Sequence, residues 1–510
     1  MLRRSLSVDG MNLTAEREVK LGAWGGFRLP DLNGVLDGIT AGPTTTRTLT
    51  AAYYDTADLR LARWGITVRH RDADGSGWTV KLPEGDAGPA LVRREVRFEG
   101  GASRIPTGVL DLLRAYVRHT PLQGVARLRT HRTGVQLLDS AGQAVAEVVD
   151  DEVSVLHGAR MTARFREVEV EIEDTAAPEL LEAVVDRLRE AGTGKPDPTP
   201  KLVRALGARA LEPPELAPRE VDEGSNTFDA IRSAMTASVG RMLAHDPGVR
   251  IGEHPKDVHQ LRVGTRRLRS DLRTFRPVLD EEWLQPLRDE LKWLAQELGR
   301  VRDADVLEAR LRRQADELPG HDAAGLAPLL GKLAQEREVA RTQVREVMSS
   351  DRYADLFDRL VSGASSPPVV RDADAPARDT LAELVNLPWK HLRKAVDELS
   401  SDPEPQDLHR VRILSKRVRY AAEAAAPVVG GKAAKFAEAV AGVQGVLGDH
   451  QDASVAEEWL RQAAKDATAP QALVAGELIS IQRGEAVANR DAWPAAWKQV
   501  DRKKLRALLG

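Results

Sequence analysis

The stretch VHQLRVGTRRLRS (258–270) sets four arginines behind a histidine, and LHRVRILSKRVRY (408–420) repeats the arrangement 150 positions later. His259, Arg262, Arg266, Arg267 and Arg269 align with His409, Arg412, Lys416, Arg417 and Arg419. A second motif keeps step: LGRVRDADVL (298–307) aligns with LGDHQDASVA (447–456) at almost the same offset. Two motifs that hold both order and spacing identify an internal repeat. On a helix His259, Arg262 and Arg266 share one stripe, Arg269 and Arg273 extend it, and Leu261, Val263 and Leu268 are left to turn to a core.

From about residue 226 onward apolar residues recur at i, i+3, i+4 and i+7, as in TFDAIRSAMTASVGRML and LAPLLGKLAQEREVARTQVREVM. The polar break SGASSPPVVRDADAPA (362–377) divides this half into repeats of about 226–361 and 378–510. The expectation is an all-α helical bundle with an internal two-fold repeat. Stacked cations on a helix repel one another, so the stripes need either a polyanion or acidic neighbours, or they form a solvated face. Two copies lying side by side would join into one basic surface. Arginine forks match phosphate oxygens, whereas base stacking needs aromatics, of which the stripes offer only Tyr420. A phosphate chain is therefore the stronger expectation and nucleic acid the weaker.

The basic segments stand in a chain that is slightly acidic overall. Across 510 residues Lys+Arg number 74 against 77 Asp+Glu, net −3, so positive charge is segregated locally. The length exceeds one compact core and predicts several domains. With no cysteine, disulfides and thiolate metal sites are excluded, and any metal must sit on carboxylates or histidines. The opening MLRRSLSVDGMNLTAE has no apolar core of signal-peptide length, and no run of about eighteen apolar residues occurs. A cytoplasmic protein with no membrane partner is expected.

Upstream, residues 12–175 have a different texture. AEREVKL, GITVRHR, WTVKLP, VRREVRFEG, ARLRTHRTGVQLL, AVAEVVDDEVSVL and FREVEVEIED alternate with period 2 between turn residues, the pattern of an antiparallel sheet or barrel. Helices are predicted at 106–117 and 177–192, and ALEPPELAPREVDEGS (210–225) reads as an exposed linker. In a strand Glu16, Glu18 and Lys20 point to one face, as do Glu167, Glu169 and Glu171, with Val168, Val170 and Ile172 opposite. Arg69 and Arg71, Lys81, and Arg127 and Arg129 supply the opposite sign from other strands. Alternating charges on a solvent face would give a similar pattern. Two acid ladders with several basic strands favour instead a barrel with a charged interior. Clustered carboxylates suit Mg²⁺ or Mn²⁺, and clustered Arg and Lys suit phosphates. GAWGGF (22–27) lacks the Lys-Ser/Thr of a phosphate-binding loop.

Two resemblances follow. H-x-x-R-V-x-x-R-R-L-R with its weaker second copy, followed by L-G-x-x-x-D-A, resembles the CHAD family (conserved histidine α-helical domain) over roughly 226–510. It implies a helical bundle that binds inorganic polyphosphate through His259, Arg262, Arg266, Arg267, Arg269, Arg273, His409, Arg412, Lys416, Arg417 and Arg419. E-x-E-x-K (Glu16, Glu18, Lys20), YYDTADLRLARWGITVRHR (53–71) and REVEVEIED (166–174) resemble the CYTH family of triphosphate tunnel metalloenzymes over about 12–207. That resemblance implies an eight-stranded closed tunnel that hydrolyses triphosphate-type substrates with Mg²⁺ or Mn²⁺. Carried over, Glu16, Glu18, Glu169 and Glu171 bind metal and, with Lys20, form the catalytic set. Asp150 is the added metal ligand, although the register around Glu147, Asp150 and Asp151 stays open. Lys20, Arg69, Arg71, Lys81, Arg127, Arg129 and Lys201 (in TPKLVRAL) bind the triphosphate.

The expected architecture is multidomain α+β: an N-terminal eight-stranded antiparallel tunnel with flanking helices (12–207), a linker (208–225) and the helical domain (226–510). The expected function is metal-dependent hydrolysis of inorganic tripolyphosphate, with long-chain polyphosphate bound by the helical half and an association with polyphosphate granules. The alternative is a non-catalytic polyphosphate-binding protein, against which the intact acid ladders argue, since anion binding alone does not call for them.

Overall fold

The computed structural model describes residues 6–8, 11–72, 77–87, 90–173, 176–320 and 325–500. Side chains of residues 6–16, 85–91 and 178 lie outside that description. The chain divides after Glu215 into two compact units.

The first unit is built on strands β1 (Leu6–Val8), β2 (Met11–Ala23), β3 (Thr40–Ala41), β4 (Thr45–Asp55), β5 (Thr67–Arg71), β6 (Gly77–Ala87), β7 (Ala90–Phe98), β8 (Gln123–Leu138), β9 (Ala144–His157) and β10 (Arg160–Ile172). Eight of them close a ring in the order β2-β10-β9-β8-β4-β5-β6-β7, with β7 returning to β2, and every pairing is antiparallel. The short β1 and β3 add to β2 and β8 outside the ring. Closure leaves the ring without an edge strand and fixes one face of each strand inward. The antiparallel barrel read from the period-2 runs, with the eight strands that the resemblance implies, is the observed fold.

One apolar layer lies outside this barrel. Val19 and Leu21 of β2, Val168 and Val170 of β10, Val148 of β9, and Val135 and Leu137 of β8 pack together under Leu180, Val184 and Leu188 of an amphipathic helix, Pro178–Glu190. The alternate residues Glu18, Lys20, Glu167 and Glu169 face the lumen and are almost fully shielded from solvent. A short helix, Lys201–Leu206, packs Leu202 and Val203 against Tyr53, Leu128, Val153 and Val155. This packing brings Lys201 to Asp151 and Glu167. The predicted helix at 106–117 is two short helices, Thr107–Leu112 and Arg114–Val117. In the 53–71 block Asp55 is fully buried and accepts the backbone N–H groups of Thr56, Leu61 and Ala62, locking the turn that delivers β5.

The first part of the expected linker is docked on the first unit. Arg118 grips Glu215 through two 2.7 Å hydrogen bonds, and Arg63 donates to the Pro213 carbonyl. The first compact unit runs through Glu215.

The second unit is helical. Its elements are α1 (Thr227–Ile251), α2 (Pro255–Thr274), α3 (Glu281–Ala315), α4 (Leu326–Ser349), α5 (Asp351–Ser365), α6 (Ala377–Asp397), α7 (Pro405–Val429), α8 (Gly431–Ala463) and α9 (Ala469–Val500). The quoted basic segments are α2 and α7, and each opens with a proline whose missing N–H costs nothing in a first turn. Both pack between the helices before and after them, and they pack on each other, which realises the internal two-fold repeat. Gly264 allows α1 and α2 to approach closely, since a Cβ there would sit 3.0 Å from the Ser238 carbonyl. Leu307 and Leu311 of α3, Leu329 and Leu333 of α4, Leu460 of α8, and Val474 and Leu478 of α9 form one core, so the repeats share their interior. Among the described residues no helix is long and apolar enough to cross a membrane.

Candidate functional site

Two strands supply the lumenal acids. The β2–β10 register sets Glu18 opposite Glu171 and Lys20 opposite Glu169. The β10–β9 register sets Glu167 opposite Asp151. Two overlapping carboxylate sets result, Glu18–Glu169–Glu171 and Asp151–Glu167–Glu169, each with one oxygen per residue lying within 4.8 Å of the others. Glu169 belongs to both. Lys20 Nζ sits 3.2 Å from Glu18 and directly against Glu169. Burial pushes the Glu169 carboxyl up, but Lys20, Lys201 and Arg132 outweigh it and hold the group well below its ordinary range. Burial likewise opposes ionisation of Glu18, and Lys20 and Lys81 bring it below its usual value. Both acids are thus carboxylates at neutral pH. Burial would strip Lys20 of its proton, yet Glu169 and Glu18 raise it above the ordinary lysine value.

These acids fit a divalent cation. Glu18 Oε1 is buried and takes no hydrogen bond, and an all-carboxylate donor set is the hard-oxygen environment of Mg²⁺ or Mn²⁺. Glu18, Glu169 and Glu171 are the residues that could hold it. Glu16 pairs through its backbone with Arg93, and its side chain lies outside the described residues.

Cations line another part of the lumen. Arg69 and Lys81 approach Glu95 at 3.6 and 3.4 Å, and Arg97 binds it at 2.6 Å. Arg71 lies beside Arg69 and near Arg132, and its Nε is buried without a hydrogen bond. Repulsion from Arg69, together with burial, lowers the Arg71 guanidinium to about 10. A buried guanidinium destabilised by a like neighbour is a place where an anion relieves repulsion.

Three expectations are displaced by one position of strand alternation. Arg127 and Arg129 are exposed on the outer face of β8, and the inward cation of that strand is Arg132. Arg132 clamps Asp151 at 2.8 and 2.6 Å and reaches Glu169 at 2.9 Å. Asp150 also points outward, held by Arg166 at 2.8 and 2.5 Å, and the lumenal acid of β9 is Asp151. Glu167, which shares the parity of Glu169, is fully buried in the Asp151–Glu167–Glu169 set. Apolar partners carry the missing signal: Val135 and Leu137 share the parity of Arg127 and Arg129, and Val148 shares that of Asp150, and all three belong to the outer core. Lys201 does enter the tunnel, 2.5 Å from Asp151 and 3.1 Å from Glu167.

In the helical unit the crossing of α2 and α7 interleaves the cations of the two repeats. Arg266 and Arg419 both lie over the Tyr420 ring, at 5.7 and 5.6 Å. Burial and then Arg412, Arg266 and Arg262 lower the Lys416 ammonium to about 8. Burial and then Arg417, Arg288 and Arg269 lower Arg273 to about 10. Arg288 and Arg302, both on α3, join these groups although the stripe pattern on α2 and α7 cannot reveal them. Glu423 of α7, at the position aligned with Arg273, reverses the charge of the stripe and binds Arg267 at 2.6 Å and Arg419 at 2.7 Å. The two sequence motifs also explain each other. Arg262 donates to Gly299 O and Asp303 on α3, both at 2.9 Å, and Asp452 of α8 is the acid that supports Arg412 in the second copy. His259 is lowered by burial and by Arg302, Arg266 and Arg262, so it faces these arginines as a neutral imidazole. His409 is fixed by Gln451 at 2.8 Å.

The chain matches the CYTH domain over residues 15–202 and the CHAD domain over residues 233–461. It is 31% identical over 463 residues to the uncharacterized protein Rv2226 of Mycobacterium tuberculosis (strain H37Rv), covering 85% of this chain and 86% of that protein. Among solved structures, PptA from Streptomyces chartreusis is 28% identical and covers 54% of this chain and all of its own (100%), with a TM-score of 0.45. The CHAD domain of the plant Ricinus communis is 28% identical, covering 57% of this chain and 96% of its own, with a TM-score of 0.44. CYTH and CHAD domains are associated with triphosphate and polyphosphate. The chain belongs to the family of proteins that join a CYTH domain to a CHAD domain.

Proposed function

We propose that the tunnel hydrolyses inorganic tripolyphosphate with Mg²⁺ or Mn²⁺ and that the helical unit binds long-chain inorganic polyphosphate. One observation carries the reading: a closed barrel places a carboxylate set (Glu18, Glu169, Glu171), of which Glu18 and Glu169 are held below the ordinary carboxyl range, within the same lumen as an array of cations (Lys20, Arg69, Arg71, Lys81, Arg132). Anion binding alone is served by the cations, and the acid set fits a metal. Glu18, Glu169 and Glu171 would hold the divalent ion, whose chemistry when bound would be Lewis-acid stabilisation of phosphoryl charge. Arg69, Arg71 and Lys81 would hold the chain's oxygens and stabilise charge that develops during displacement. Lys20 keeps Glu18 and Glu169 ionised and in place.

The test is a panel of tripolyphosphate, ATP and thiamine triphosphate, each with Mg²⁺ and Mn²⁺. The expected result is the highest kcat/KM for tripolyphosphate and no turnover with EDTA. A higher value for either organic triphosphate overturns the substrate assignment. The two faces of β8 give a second check. Arg127→Ala with Arg129→Ala is expected to leave kcat/KM within about twofold, whereas Arg132→Ala lowers it by about tenfold or more. Equal effects of the two variants contradict the inward assignment of Arg132.

Polyphosphate binding by the helical unit carries a pH signature. Lys416 is lowered to about 8 by burial and by Arg412 and Arg266. Its folded value lies below the unfolded one, so the charged form costs stability below about pH 8, and the unliganded unit gains stability as pH rises from about 8 toward 10.5. A bound polyanion reverses the preference and draws a proton onto Lys416. Calorimetry at pH 8 in buffers of different ionisation enthalpy is expected to show proton uptake on polyphosphate binding, and Lys416→Arg to abolish it. Uptake that persists in Lys416→Arg sinks the assignment.

A further inference from the structure

The internal repeat lets the two sides of the α2–α7 crossing be compared residue by residue. At the offset of 150, Arg269, Arg273 and Arg417 map onto Arg419, Glu423 and Arg267. Each triad takes two residues one turn apart from one helix and a third from the other helix. In the first triad Arg273 stands near Arg269 and Arg417, and Arg288 of α3 adds a further positive charge. Arg269, Arg273 and Arg417 form no ion pair among the described residues, and Arg417 Nε is buried without a hydrogen bond. In the second triad the carboxylate of Glu423 is shared. Arg267 donates to one of its oxygens at 2.6 Å and Arg419 to the other at 2.7 Å. Arg419 also donates to Gln444 of α8 at 3.2 Å. Asp271, fully buried one turn after Arg267, faces that arginine as well, whereas its counterpart one turn after Arg417 is Ala421. A carboxylate accepts from guanidinium groups as a phosphate does. Glu423 therefore stands where a phosphate group would stand if the second triad had the composition of the first. At the first triad a bound anion relieves repulsion between like charges. At the second it would have to displace a carboxylate that already holds both arginines.

We propose that Glu423 is a built-in anion that fills one of two equivalent phosphate seats of the repeat, so that the phosphate chain is seated on Arg269, Arg273 and Arg417 and not on Arg267 and Arg419. This rests on the polyphosphate-binding reading of the helical unit. Glu423 is then a specificity-determining residue, which makes binding one-sided on a surface built from two repeats.

The test is calorimetric titration of the full chain with long-chain polyphosphate at several salt concentrations. Glu423→Gln frees two arginines and is expected to bind about tenfold more tightly than wild type. Its slope of log K against log salt should steepen by roughly 0.7 for each added phosphate contact, on the model of counterion release from a single-stranded polyanion. Adding Arg267→Gln and Arg419→Gln to that variant should return Kd to within about threefold of wild type. Glu281→Gln makes the same change in charge and frees the exposed Arg276, and should leave Kd within about twofold. Unchanged or weaker binding in Glu423→Gln, or equal tightening in Glu281→Gln, overturns the inference. A measurement on the wild type keeps the question decidable if Glu423→Gln does not fold. Modification by phenylglyoxal, mapped by mass spectrometry, should be slowed by polyphosphate at Arg273 and unchanged at Arg267, and equal protection of the two overturns the inference. Wild-type protein that fails to bind polyphosphate, or binds it no better than Arg266→Ala combined with Arg412→Ala, overturns the polyphosphate reading itself, and this inference with it.

Discussion

Glu18→Gln is expected to lower Mn²⁺-dependent phosphate release from tripolyphosphate by about a hundred- to a thousandfold, the loss typical of removing one preorganised charged group at a reacting phosphoryl centre. Glutamine preserves the shape of the side chain and its place on β2 but deletes the charge that Lys20 and Lys81 stabilise. In the Glu18–Glu169–Glu171 set, Glu18 Oε1 is buried without a hydrogen bond, so its replacement removes a donor atom that no protein group satisfies. Mn²⁺ affinity should fall together with turnover. Polyphosphate binding should not change, because the helical unit is a separate compact body with its own core. If Glu18→Gln retains activity within a few-fold of wild type, the metal does not sit on Glu18, Glu169 and Glu171.

The other large effect is expected in the helical unit. Arg266→Ala combined with Arg412→Ala should weaken long-chain polyphosphate binding by about a hundredfold, taking roughly 1.4 kcal/mol for each charge-assisted hydrogen bond removed. These two arginines come from different repeats, yet both press on Lys416, which places them on one continuous basic surface. The salt dependence should shift with the affinity. On the model of counterion release from a single-stranded polyanion, each phosphate left unneutralised lowers the slope of log K against log salt by roughly 0.7. A control pair, Arg276→Ala with Arg300→Ala, removes two exposed arginines that already pair with Glu281 and Glu297, and should alter Kd by no more than about twofold. Equal losses in the two pairs would mean that net charge, and not the α2–α7 crossing, holds the anion.

The fold was legible because its two halves carry different periods. Period 2 in 12–175 and period 3.6 after 226 separate a barrel from a bundle, and the paired motifs at 258 and 408 expose the two-fold repeat. Charge sign was also legible, since ladders such as Glu167–Glu169–Glu171 have no place in an apolar layer. What failed was the choice between adjacent residues on strands charged on both faces. In ARLRTHR and VVDDEV neighbouring positions offer the same chemistry, and a shift of one reverses the face. The structure resolves both cases through the apolar residues beyond them, Val135 and Leu137 on β8 and Val148 on β9. Residues such as Arg288 and Arg302 were not legible at all. They join the basic surface from α3, and only the packing of three helices brings them there.

The most direct test of the central claim follows tripolyphosphate by phosphorus-31 nuclear magnetic resonance with the full chain and Mg²⁺, since Mn²⁺ would broaden the signals. The account predicts that tripolyphosphate disappears as orthophosphate and pyrophosphate grow in equal amounts, and that EDTA or Glu18→Gln stops the conversion. Tripolyphosphate that binds the tunnel yet persists unchanged in the presence of Mg²⁺, with no growth of orthophosphate, would contradict it and leave a protein that holds phosphate chains without cleaving them.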